Sequence, residues 1–310
     1  MKLLLIGALI AVSAGAQPEK VIFDTDCAYF NDDGAALVML LHRPQQVQIE
    51  GITVVPGNFW PATGSEYILH ILKLMQRSDV PLYFGAQAPL VHTRAMLRKE
   101  TGIEYVGAFS TDPPKYSGPT MAVDFLIKTI EKSPGKVTVL ALGPMTNIAI
   151  ALRLRPDLQS KIARIVFMGG KLNGKEFNFW FDPEAAQIVL RSSIAKKVMF
   201  GLDICDHAPI DKAHADQITA KTPIADLYRD DRVKNPSPYV WDTLAAAYLL
   251  DPKFVTKRET DYLDVETTFG KNYGSVKPLD RTLAPEATPV EVMLDLDFER
   301  FFALFKSLIH

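Results

Sequence analysis

The sequence predicts an α/β chain built on an open, mostly parallel, Rossmann-like sheet flanked by helices. Strand-like and helix-like runs alternate through the first two-thirds of its 310 residues, the pattern of parallel strands joined by crossover helices. The run Val21-Ile22-Phe23 is apolar throughout and leads straight into Asp24, as a strand buried on both faces would. Polar or glycine-rich segments then recur at the carboxyl ends of the strand-like runs: Asp24 and Asp26, Asn58, Leu142-Gly143-Pro144, Met168-Gly169-Gly170 and Asp203. Open sheets of this kind bind ligands at those ends.

Taken in order, Lys20–Phe23 reads as a strand. Asp33–His42 reads as a helix with one apolar face, stopped by Arg43-Pro44. Val47–Val55 is a β-branched strand ending at Pro56-Gly57-Asn58, Ala62–Gln76 a helix, and Val80–Phe84 a short strand closed by Gly85. Residues 86–118 carry scattered Gly and Pro and read as a long loop with a short helix at Arg94–Lys99. Then come a helix at Met121–Lys132, a strand at Val137–Leu142, a helix at Thr146–Leu154 and a strand at Ile162–Met168. Asp182 is placed to cap a helix Pro183–Arg191 whose first position is proline. Lys197–Leu202 reads as a strand, and 211–250 as mostly helical with a break at Asp230–Pro238. Two short strands near 262–268 and 288–294 and a helix from Asp297 complete the chain. With no repeat, low-complexity segment or linker, residues 17–310 read as a single domain.

The net charge of −2 argues against nucleic acid or an anionic membrane surface as partner. Residues 1–16 have one lysine, a short apolar run and Ala14-Gly15-Ala16 before Gln17. That is the form of a signal peptide with an A-x-A-type cleavage site. The mature chain is expected to be exported, secreted or periplasmic, with no membrane attachment after cleavage. Cys27 and Cys205 are the only cysteines and are expected as packed thiols rather than a disulfide; no zinc-type spacing is present.

Asp24, Asp26, Asp32 and Asp33 fall within ten positions at the end of a buried strand. Like charges so close repel strongly away from water, so a bound cation explains them better than a solvated loop. All-oxygen donors favour Ca²⁺ or Mg²⁺ over zinc. Asp242 precedes the Ala-rich run Leu244-Ala245-Ala246-Ala247 and fits either a helix cap or a further site carboxylate. Glu176-Phe177-Asn178-Phe179-Trp180-Phe181 fits either surface packing or a polar clamp with aromatic walls. The pair Asp206-His207 reads as structural.

These segments together resemble the inosine–uridine preferring nucleoside hydrolases. The resemblance is carried by Phe23-Asp24-Thr25-Asp26 with Asp32-Asp33, by Gly51-Ile52-Thr53-Val54-Val55-Pro56-Gly57-Asn58, and by Ala141-Leu142-Gly143-Pro144-Met145-Thr146-Asn147-Ile148-Ala149. It continues in Val166-Phe167-Met168-Gly169-Gly170, in Glu176 to Asn178 through Phe181-Asp182-Pro183-Glu184-Ala185-Ala186, and in Trp241-Asp242. It implies the nucleoside hydrolase fold and hydrolysis of the N-glycosidic bond of a ribonucleoside, in homodimers or homotetramers. It further implies a Ca²⁺ held by Asp26, Asp33, Asp242 and the main-chain carbonyl of Leu142, with Asp26 also the general base. Asp32, Asn58, Asn173, Glu176 and Asn178 would contact the ribose, and Met168 would pack near it. Trp241 stands where members accepting many bases often carry His; purine-preferring members use Trp there to stack on the base, which implies purine preference. The segment from Cys27 to Asn31 has five residues where the commonest family loop has three, with Tyr29 and Phe30 at its centre.

Two other readings fit part of the pattern. Asp24-Thr25-Asp26 at a strand end also occurs in haloacid-dehalogenase-type phosphatases, but Ala28 stands where that class usually has Thr or Val, and Asp32-Asp33 and Trp241-Asp242 stay unexplained. An exported nucleoside-binding protein without turnover would keep the same pocket.

Overall fold

The computed structural model describes residues 17–27, 30, 32–93, 95–96, 121–234 and 236–310. The expected signal peptide, most of the Arg94–Lys99 helix, and Tyr29 lie outside them. Among the described residues ten strands are formed: β1 Glu19–Thr25, β2 Val47–Val54, β3 Leu82–Phe84, β4 Val137–Ala141, β5 Ile162–Met168, β6 Lys197–Phe200, β7 Val255–Asp261, β8 Leu263–Val265, β9 Val276–Pro278 and β10 Val290–Leu296. Eight make one sheet in the order β3-β2-β1-β4-β5-β6-β10-β7, and β8 and β9 pair separately. Every neighbouring pair in the large sheet is parallel except β10 with β7.

The order reverses at β1. Chain segments β2 and β3 lie to one side of it, β4, β5 and β6 to the other. The crevice at such a reversal is where parallel sheets receive ligands. Asp24 pairs with Thr53 across one side and with Ala141 across the other. Just past the strands, Val55 N–H donates to Thr25 O at 2.9 Å and Leu142 N–H to Asp24 O at 2.8 Å. These bonds hold Asp24 to Asp26, Val55 to Asn58 and Leu142 side by side.

Apolar cores cover both faces. One packs the helices Asp32–Leu41, Trp241–Leu250 and Phe298–Leu308; the other packs Ala122–Lys132, Thr146–Leu154 and Pro183–Leu190. Every residue of Asp32–Leu41 is buried, as is every residue of Trp241–Leu250 after Trp241. Small side chains in both, Gly34-Ala35-Ala36 and Ala245-Ala246-Ala247, let the two helices pack on each other. Their amino ends therefore meet beside β1. Among the described residues no helix is long and apolar enough to cross a membrane.

Several boundaries differ from the sequence-based expectation. β1 runs on to Thr25, and the following helix starts at Asp32 rather than Asp33. β6 stops at Phe200, and Leu202–Cys205 forms a helical turn instead of continuing the strand. The break expected at Asp230–Pro238 starts later, since Pro223–Lys234 is one helix. Strand β7, Val-Thr-Lys-Arg-Glu-Thr-Asp, has no apolar period to reveal it, because it is an exposed, charged edge strand.

Lys197 in β6 is buried, and its ammonium donates to Leu190 O at 2.6 Å and Ser192 O at 2.8 Å, closing the carboxyl end of helix Pro183–Leu190. Burial pulls its pKa down to about 7. Lys197→Met removes that donor from both carbonyls, and thermal denaturation is expected to show a loss of about 1–3 kcal/mol.

Candidate active site

The cavity at the sheet reversal has a volume of about 190 Å³ and is lined by Asp26, Asp32, Asn58, Leu142, Met168, Glu176, Phe177, Asn178, Leu202, Trp241 and Asp242. Nine of the eleven substrate or metal residues that the sequence nominated are therefore together at one place: Asp26, Asp32, Asn58, Leu142, Met168, Glu176, Asn178, Trp241 and Asp242. Asp33 is fully buried directly behind.

Asp32, Asp33 and Asp242 each offer a carboxylate oxygen within 4.8 Å of the others. Two come from the first turn of helix Asp32–Leu41 and one from the first turn of Trp241–Leu250, where the helix dipoles favour negative charge. Asp242 sits inside its helix, with Val240 at the capping position, so the cap reading does not hold. Burial raises the pKa of Asp32 to about 7, helped by the charge of Asp33; it raises Asp33 to about 6, opposed by the Thr25 hydroxyl. Burial, and then the charges of Asp32 and Asp33, hold Asp242 well above the carboxylate range. Asp33 Oδ2 is buried without a hydrogen-bond partner. A buried all-oxygen cluster with an unsatisfied carboxylate oxygen fits a hard divalent cation.

Asp32, Asp33 and Asp242 make the tightest trio, and Asp26 borders it closely enough that Asp33 and Asp32 act on its carboxyl and it acts on Asp242. Local contacts hold the Asp26 carboxylate there. Asn58 N–H donates to Asp26 Oδ2 at 2.6 Å. Gly57 and Gly143 close on the same carboxylate so tightly that a Cβ on either would fall 2.0 Å from Oδ2 or 2.8 Å from Oδ1. Burial, and then the charge of Asp33, push the Asp26 pKa well up. Asp24 lies deeper: its Oδ2 accepts from Thr53 Oγ1 at 2.6 Å and Asn147 Nδ2 at 2.8 Å, while burial lifts its pKa to about 7.

The opposite wall is the helix Phe177–Phe181, which sequence periodicity did not reveal. Glu176 caps it, accepting from Asn178 N–H at 2.8 Å and Phe179 N–H at 3.1 Å, and also from Gly170 N–H at 2.7 Å. Asn178 Nδ2 donates to Leu142 O at 2.8 Å and Met168 O at 3.1 Å, tying the ends of β4 and β5 together. The polar-clamp reading of this segment thus matches its position, and Phe177 is its aromatic wall. Leu202 had no signal in the sequence; it reaches the cavity because β6 turns into a helix there. Asn173 is exposed in the turn Lys171–Gly174 with φ 54°, outside the cavity lining. Asparagine favours such a left-handed turn position on its own account.

Trp241 donates its indole N–H to Asp206 Oδ1 at 3.2 Å and stacks on Tyr239, centroids 5.3 Å apart and planes 6° from parallel. His207 is exposed, 3.6 Å from Asp295 and away from the cavity. Asp182 caps its helix as expected, accepting from Ala185 N–H at 3.1 Å. Cys27 and Cys205 are both buried thiols. Phe30 is buried and meets Tyr228 edge-on at 6.1 Å.

The sequence profile of the inosine-uridine preferring nucleoside hydrolases matches residues 21–303. The pyrimidine-specific ribonucleoside hydrolase RihA of Citrobacter koseri is 32% identical over 304 residues, covering 92% of this chain and 96% of its own. RihA of Salmonella arizonae is 33% identical over 301 residues, covering 90% and 95%. Among solved structures, a purine-preferring ribonucleoside hydrolase from Gardnerella vaginalis matches with a TM-score of 0.76 at 26% identity, covering 94% of this chain and 98% of that one. The plant nucleoside hydrolase PpNRh1 has the same fold, with a TM-score of 0.76 at 24% identity over 94% and 99% of the two chains.

Proposed function

The chain belongs to the inosine-uridine preferring nucleoside hydrolase family, hydrolases of the ribonucleoside N-glycosidic bond, and we propose that it acts on purine ribonucleosides with Asp26 as general base and Ca²⁺ at the carboxylate cluster. The observation that carries this reading is the convergence of Asp26, Asp32 and Asp242 with Asn58, Glu176 and Asn178 on one cavity at the sheet reversal. Family membership sets aside the phosphatase reading.

Breaking the bond from C1′ to the base nitrogen builds oxocarbenium character on the ribose, as in other glycoside hydrolysis. The surrounding carboxylates stabilise that positive charge where water is scarce. Asp33 and Asp242, with Asp26, Asp32 or the Leu142 carbonyl, would hold the cation. Its chemistry there, when bound, is to gather hydroxyl oxygens and acidify water. Asp26, exposed to the cavity but fixed by Asn58 and the two glycines, takes the proton of the attacking water. Glu176 has three N–H donors on its two oxygens, which leaves acceptor capacity for a ribose hydroxyl. Met168 supplies an apolar floor for the sugar.

Trp241 supports the purine preference, because it lines the cavity and a purine offers the larger face for stacking on an aromatic ring. The names of the RihA relatives support a second reading, pyrimidine preference. Turnover of inosine, adenosine, guanosine, cytidine and uridine separates the two. Purines are expected to give the higher kcat/KM, and Trp241→Ala to lower it about two- to tenfold. Uridine matching or exceeding the purines would establish the second reading. Release of free base in the same assay excludes a binding protein without turnover. The signal-peptide form of residues 1–16 supports export, and amino-terminal sequencing of the exported protein is expected to start at Gln17.

A further inference from the structure

Thr25 is the last residue of β1 and is fully buried. Its carbonyl is held in the sheet by Val55 N–H at 2.9 Å. Its hydroxyl has two contacts. Oγ1 accepts from Cys27 N–H at 3.2 Å and makes a short hydrogen bond to Asp33 Oδ1. A backbone N–H can only donate, so the single hydroxyl proton is left for the Asp33 carboxylate. The chain therefore ties one chosen oxygen of Asp33 and stops the carboxylate from rotating. The other oxygen, Oδ2, is the buried one without a hydrogen-bond partner, on a residue that converges with Asp32 and Asp242.

We propose that Thr25 is a positioning residue for the cation site: its hydroxyl holds the Asp33 carboxylate in one orientation beside Asp32 and Asp242, with Oδ2 left free of protein donors for ligation. The proposal rests on the reading that the carboxylate cluster holds Ca²⁺. Thr25 is not among the residues lining the cavity, and its hydroxyl acts through Asp33. Its β-branch restricts χ1 and keeps the hydroxyl aimed across from strand to helix. The Cys27 bond has a second consequence. The same hydroxyl that orients Asp33 also sets the first residue of the segment joining Asp26 to Asp32, so strand end, loop start and helix start are locked through one oxygen.

Partners that orient a metal ligand are typically worth about 10–100-fold in affinity. The experiment is calorimetric titration of Ca²⁺ into the metal-stripped full chain, for the wild type and for Thr25→Val, Thr25→Ala and Thr25→Ser. Valine keeps the branch and the strand preference and removes only the hydroxyl. Alanine removes the hydroxyl with less bulk, so the test does not depend on one variant folding. Valine and alanine are expected to bind Ca²⁺ about 10–100-fold more weakly, and serine within a few-fold of wild type. A purely structural role would lower the melting temperature of the metal-free variants and leave affinity alone. Unchanged affinity in the valine or alanine variant overturns the proposal, as does serine binding as weakly as valine. A wild type that takes up no Ca²⁺ overturns the calcium reading itself, which tells the two failures apart.

Discussion

Asp26→Asn is expected to lower kcat for nucleoside hydrolysis by about 10³-fold, within the range for loss of a general base, while leaving the fold intact. Asparagine keeps an acceptor for the Asn58 N–H, now 2.6 Å from Asp26 Oδ2, and fits between Gly57 and Gly143 as the aspartate does. What it loses is the capacity to accept a proton. The melting temperature of the metal-free variant should equal or exceed that of the wild type, because the substitution removes one buried acid from a cluster of like charges. Asp26→Ala should be equally inactive but less stable, since it leaves the Asn58 N–H without its acceptor. Steady-state kinetics and thermal melts of both variants check this. Normal turnover in Asp26→Ala would end the proposed mechanism.

Metal removal should have the next largest effect, and its pH dependence has a definite sign. In the folded chain, burial raises Asp32 to about 7 and Asp33 to about 6, and lifts Asp26 and Asp242 as well, all from an ordinary value of 3.8. Between those limits the metal-free native state holds more protons than the unfolded chain. Stability is therefore fully present below the unfolded pKa and falls as pH rises through about 6 to 7. Asp24, raised to about 7, and Asp182, raised to about 6, add in the same sense. Lys197, lowered to about 7, acts in the opposite sense only at higher pH. The chelated protein should melt at a lower temperature at pH 7 than at pH 5 and be inactive. Added Ca²⁺ should restore activity and raise the melting temperature most at the higher pH, with affinity growing as the carboxylates lose their protons. A metal-free melting temperature that is flat from pH 5 to 7 would contradict a buried acidic cluster at this site.

The candidate site was legible from sequence to the extent that its chemistry lies in residue type and order. Carboxylates at the end of a buried strand announce themselves, because nothing but a cation or a proton makes them tolerable there. Asp182 was legible as a cap because cap and proline sit together in the chain. The helix Phe177–Phe181 was not, since its signal is one turn long and its cap, Glu176, is recognised only by the N–H groups it accepts. Thr25 looked like filler between two aspartates until its hydroxyl was seen to reach Asp33. Asn173 illustrates the opposite case: a residue type suited to sugar contact that instead occupies a left-handed turn.

By itself the sequence determined the class of fold, the family and nearly all the residues around the cavity, because strand–helix alternation, buried acids and their order are local properties. The tertiary structure decided which acids meet. Asp242 joins Asp32 and Asp33 because two small-residue helices far apart in sequence pack together with their amino ends level. Asp26 is held beside them by Asn58 and by Gly57 and Gly143, which close on it from the segments following β2 and β4 on either side of β1. Those distances depend on packing between segments more than a hundred residues apart in some cases, as with Asp26 and Gly143, and no local pattern encodes them.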